Sequence, residues 1–180
     1  MKFARGSAAL VALAFACRKS ATVAGTDLPL GASSASSASV ATRPPVDFAF
    51  ESIDDRPVSA AATRGKPTVL AFVTTSNLAA QAQVDFLIAM AKHDAQSVNY
   101  AVVALERGDN RELVTLYQKA LSIPFPVAMA DAQTLAGAGA FGDVLAVPVT
   151  IILDRMGRIA WRVDGRVSRS DELRAALRGL

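Results

Sequence analysis

The run Val69-Leu70-Ala71-Phe72-Val73 is apolar without a break, yet far too short to cross a bilayer as a helix. Lys66-Pro67 precedes it, and β-branched and aromatic residues fill it, so it reads as a strand buried on both faces. A strand of that kind needs cover above and below, and the neighbouring sequence supplies it. Leu78 to Ala95 sets Val84, Leu87, Ile88 and Ala91 three and four residues apart, on one side of a helix. Val98 to Leu105 is a second buried strand. Asp109-Asn110-Arg111-Glu112 then predicts a capped start for a helix carrying Leu113, Leu116, Tyr117 and Ala120. Phe125 to Ala130 reads as a short strand, and Asp131 as the cap of a small helix through Leu135. Val149 to Leu153 and Arg158 to Val163 form a hairpin around the turn Asp154-Arg155-Met156-Gly157, and a last helix from Ser170 carries Leu173, Leu177 and Leu180. Upstream, Phe48 and Phe50 alternate with Asp47 and Glu51 in a half-buried strand, Asp54-Asp55-Arg56-Pro57 is turn chemistry, and Val58 begins the return. Strands alternating with helices and closed by a hairpin predict an α/β domain over residues 46–180. Its central mixed sheet is flanked by helices on both faces and extended by an N-terminal β-hairpin.

The residues before this domain have a different character. Lys2 and Arg5 give a positive start, and Ala8 through Ala16 form a short apolar stretch, so residues 1–16 read as an export signal. The stretch ends in Ala14-Phe15-Ala16-Cys17, which resembles a bacterial lipobox whose Cys becomes the lipidated first residue, although Ala14 stands where Leu is usual. Two outcomes are open for Cys17: an acyl anchor, or a plain secretory signal that leaves a free thiol. Residues 17–45 read as a tether. Gly31-Ala32-Ser33-Ser34-Ala35-Ser36-Ser37-Ala38-Ser39 is small and low in complexity, and Arg43-Pro44-Pro45 ends it with a stiff step. The expectation is an exported, periplasm-facing domain of a bacterial cell envelope, attached to the membrane through Cys17.

Charge and cysteine count narrow the function. The formal charge of +3 falls to +1 once Lys2 and Arg5 are removed, which leaves no electrostatic footprint for nucleic acid. Cys17 is the only Cys, so the chain has no CxxC pair, intramolecular disulfide or Cys-rich zinc site.

Three segments together resemble the redoxin branch of the thioredoxin superfamily, the tethered thiol-disulfide reductases and their relatives among the thiol-specific antioxidants. They are Gly65 through Phe72, Asp131 through Phe141-Gly142, and Leu145-Ala146-Val147-Pro148-Val149-Thr150 running on to Ile159. The resemblance implies a thioredoxin-like fold. It places Pro148 at the family's cis-proline, beside a groove in which Ser76, Asn77, Val147 and Pro148 would meet an extended partner. It also exposes a departure. Where the family has Trp-Cys-x-x-Cys, this chain reads Ser76-Asn77-Leu78-Ala79-Ala80, with Asn77 and Ala80 at the two sulfur positions. Asn cannot attack a disulfide and Ala cannot resolve one, so dithiol and peroxidase chemistry are lost and no catalytic residue of the family is intact. The resulting expectation is a redox-inactive module that binds an envelope protein or peptide in extended conformation, with no cofactor. The family label, thiol-disulfide oxidoreductase or antioxidant, is the alternative, with activity depending on Cys17.

Other constellations are weaker. Met90 and His93 lie three apart, but copper proteins of this type use two Cys and a His, and no metal is expected. His93 is the only His, so no Ser-His-Asp triad exists. Ser76 and Asn77 at a helix start suit an anion or, more simply, a cap. Arg162, Arg166, Arg169, Arg174 and Arg178 gather toward the C-terminus and read as a solvated face, with anionic lipid headgroups as the other possible contact. Trp161 reads as packing.

Overall fold

A computed structural model of the chain describes residues 43–180. The export signal, Cys17 and the tether as far as residue 42 lie outside the described residues. The elements are β1 (Ala49–Ser52), β2 (Val58–Ser59), α1 (Ala60–Thr63), β3 (Thr68–Val73), α2 (Leu78–Asp94), β4 (Asn99–Ala104), α3 (Arg111–Ala120), β5 (Val127–Met129), α4 (Ala132–Leu135), β6 (Val149–Leu153), β7 (Ile159–Val163) and α5 (Ser170–Leu177). A single 3-10 turn, Gly108–Asn110, leads into α3. Among the described residues no helix is long and apolar enough to cross a membrane.

One seven-stranded mixed sheet runs in the order β2-β1-β5-β4-β3-β6-β7. β3, β4 and β5 are parallel, β6 runs antiparallel to β3, and β7 returns along β6. β3 lies between β4 and β6 with every residue buried, as its unbroken apolar sequence requires. Side chains alternate across the sheet. Val69, Ala71, Val73, Tyr100, Val102 and Ile152 face the side packed by Val84 and Leu87 of α2, Val114 of α3 and Leu173 of α5. Leu70, Phe72, Val103, Val149, Ile151 and Leu153 face the other side, covered by Phe48, Phe50, Ala60, Phe141 and Val144. The second core centres on aromatic rings, with Phe72 and Phe141 at 5.3 Å and Phe48 and Phe141 at 5.0 Å between centroids. Full burial of each large side chain, such as Phe72 or Leu70, contributes about 1.5–3 kcal/mol.

Two readings of the chain around α3 need correction. Asn110 makes no capping bond; its Nδ2 donates to Glu106 Oε2 at 3.3 Å, and the 3-10 turn takes over the entry into the helix. Leu113 and Leu116 are exposed, because the buried stripe is Val114 with Tyr117 and Leu121 packed behind it. Trp161 packs against the α2-side core, as its place in the terminal hairpin predicts.

Candidate functional site

Register fixes what meets at the end of the sheet where β3 stops. Phe72 pairs with Val149, so the loop Thr74–Asn77 leaving β3 lies beside Pro148 entering β6. The Val147–Pro148 peptide bond is cis and Pro148 is buried. Asn77 is the N-cap of α2, its Oδ1 accepting the Ala80 amide at 3.0 Å. Ser76 is exposed and Ala80 is fully buried. The cap occupies a donor that an anion at this helix start would use, which favours the structural reading of Asn77. Leu78, the next residue, is 82% exposed.

The strand end β4 contributes a group that the sequence reading missed. Glu106 Oε1 accepts the Thr75 amide at 2.9 Å and the Thr75 hydroxyl at 2.7 Å, while its Oε2 accepts Asn110 Nδ2. Glu106 thus fixes the loop between β3 and α2. The only sequence signal is an acidic residue placed directly after a buried strand.

The approach to Pro148 is held from β7. Arg162 donates through its two Nη atoms to the carbonyls of Phe141 and Asp143, and its Nε donates to Asp164 at 2.9 Å. Gly165 N–H donates to the Pro148 carbonyl at 3.0 Å, and Val147 N–H donates to Leu145 O at 2.9 Å. Leu145 is 51% exposed and Ala146 is exposed. The solvated-face reading of Arg162 is therefore corrected: it ties the loop before Pro148 to the hairpin. Arg166 and Arg169 are held by Glu172 and Asp171. Thr150, opposite Ala71, buries a hydroxyl that has no hydrogen-bond partner.

The remaining constellations do not assemble. Met90 is buried in the core while His93 is exposed, so the two point apart. Among the described residues no group of three His, Cys, Asp or Glu could hold a metal ion. An apolar cleft of about 320 Å³ lies at the opposite end of the sheet, between α2, β4 and Pro124–Pro126.

Solved structures share this architecture. A DsbF homologue from Corynebacterium diphtheriae superposes with a TM-score of 0.66 at 21% identity, covering 77% of this chain and 88% of that one. A secreted Mycobacterium tuberculosis disulfide oxidoreductase homologous to E. coli DsbE gives 0.61 at 18%, covering 75% and 97%. This is the thioredoxin fold. A thio-disulfide isomerase from Thermus thermophilus is likewise similar to the thioredoxin-like domain, with a TM-score of 0.60 at 27% identity over 75% of this chain and 92% of that one. No family model and no curated protein matches the sequence. The neighbours are thiol-disulfide proteins by name, whereas this thioredoxin-like domain carries no cysteine in residues 43–180.

Proposed function

We propose that the thioredoxin-like domain is a redox-inactive binding module that holds an extended segment of an envelope protein beside Val147–Pro148. The observation that carries this reading is the pairing of an intact Pro148 segment with thiol positions that cannot react. Asn77 is engaged as a helix cap and Ala80 is buried, while Leu78 and Leu145 offer exposed apolar contacts at the same end. An extended peptide is a fitting occupant because backbone hydrogen bonds supply affinity and alternate side chains supply specificity. In this reading Cys17 carries an acyl anchor, residues 18–45 form the stalk, and the domain works at the periplasmic side of the envelope.

The names of the structural neighbours favour a second reading, a thiol-disulfide oxidoreductase in which Cys17 supplies the thiol. Cross-linking in envelope extract, with wild type beside Pro148→Thr, tests the first. A partner captured by wild type and lost from a folded variant supports the module; equal capture by both removes it. The mass of the mature N-terminus separates the two readings, since an acylated Cys17 is no nucleophile. Disulfide-reductase turnover by a chain with free Cys17 would instead establish the second.

A further inference from the structure

Five cations at the end of the sheet opposite Pro148 have no ion-pair partner among the described residues: Arg43, Arg64, Lys66, Lys92 and Arg155. All five are exposed. Their common location follows from backbone contacts. Thr68 pairs with Leu153 and with Asn99, which defines this end. Gly65 N–H donates to Arg155 O at 2.9 Å, setting Arg64 and Lys66 beside the β6–β7 turn. Val46 N–H donates to Gly157 O on the same turn, which brings the Arg43-Pro44-Pro45 step there as well. Lys92 joins Thr63 and Thr68 in lining the 320 Å³ apolar cleft.

The carboxylates nearby are mostly engaged. Asp154 is paired with Arg158, Asp54 with Arg56, and Asp94 accepts the Tyr100 hydroxyl at 2.6 Å. Asp47 and Asp55 are exposed, and Asp94 keeps its charge because its partner is a neutral hydroxyl, so three negative charges stand against these five positive ones. Cations at the Pro148 end are spent differently, with Arg107 on Asp109, Arg166 on Glu172 and Arg169 on Asp171.

We propose that this end is a docking surface for an anionic lipid bilayer. The described chain begins at this end, with Val46 bonded to the β6–β7 turn, so the acyl anchor on Cys17 proposed above, on which this inference rests, would bring this end toward the bilayer. Long, unpaired cations on one exposed end, with Lys92 alone among them lining the apolar cleft, suit headgroup phosphates, and each contributes roughly fivefold in binding near an anionic surface. The proposal does not depend on what binds beside Pro148.

The test is sedimentation of the processed chain, residues 17–180 with Cys17→Ser to remove any acyl anchor. The vesicles are phosphatidylcholine with and without phosphatidylglycerol. Binding is expected only to the anionic vesicles. The triple variant Arg64→Gln, Lys66→Gln, Arg155→Gln should lower it roughly 100-fold. Arg107→Gln, Arg166→Gln, Arg169→Gln, the same charge change at the far end, should leave it nearly unchanged. Equal losses in the two triple variants, or equal binding to both vesicle types, overturn the proposal. Should the first variant misfold by circular dichroism, wild type decides alone. Release from anionic vesicles as salt rises to about 0.5 M supports electrostatic docking, and retention overturns it.

Discussion

Asn77 Oδ1 satisfies the Ala80 amide, one of the donors that every helix start leaves open. Asn77→Ala should therefore cost about 1 kcal/mol, a fall of about 3 °C in the midpoint of thermal unfolding, while Asn77→Ser should keep most of the cap. A midpoint unmoved by Asn77→Ala would leave the residue without a structural role and reopen a functional one. This cap was legible because its chemistry is local: a side chain, three residues and one amide. Asp131 was legible for the same reason, and it caps α4 through the Thr134 amide at 2.7 Å. Glu106 was not. Its partner Thr75 lies 31 residues earlier, and the two meet only because β3 and β4 are parallel neighbours in register. A carboxylate after a strand is common, so nothing in the residue type marks it as the group that fixes the site loop.

Strands β3, β4 and β6 were readable because burial on both faces leaves an unbroken apolar run, and the β6–β7 turn because Asp154 and Gly157 carry its chemistry. The segment between α4 and β6 was harder. It holds its course through long-range contacts to backbone carbonyls, which have no sequence signature. Arg162 supplies two of them and otherwise looks like one more charge in a C-terminal series. Gly139 supplies a close approach: a Cβ there would stand 2.9 Å from the Thr134 backbone, so the turn admits no larger residue. Removing the guanidinium with Arg162→Ala should cost about 1–3 kcal/mol and act mainly on this element. Amides 141–147 should exchange faster with solvent hydrogen, and the Pro148-dependent capture should weaken, while protection in β3 and α2 persists. Unchanged exchange in 141–147 would mean that packing of Phe141 and Val144 holds the segment without the arginine.

Two cores share one sheet, and two carboxylates are placed to make the stability of the fold depend on acid. Burial pushes the Asp154 carboxyl up, but the amides of Arg158 and Met156 and the Arg158 guanidinium outweigh it, holding the carboxyl below its ordinary value. Asp54 behaves alike, raised by burial and lowered further by Arg56, Gln118 and Ser52. A carboxyl depressed in the folded state contributes stability that is complete above about pH 4 and fades as pH falls through the folded value. Asp154→Asn should thus be less stable at neutral pH and lose less on acidification, as read from urea unfolding at stepped pH. Parallel acid limbs in variant and wild type would assign the loss to other groups. The absence of cysteine from residues 43–180 has a consequence at the same scale. A dithiol domain exists in two covalent forms whose stabilities differ, and its surroundings choose between them. Residues 43–180 have no sulfur–sulfur bond to make or break. They therefore keep one covalent form whatever the thiol poise around them, and are left to respond to acid and to what touches their surface.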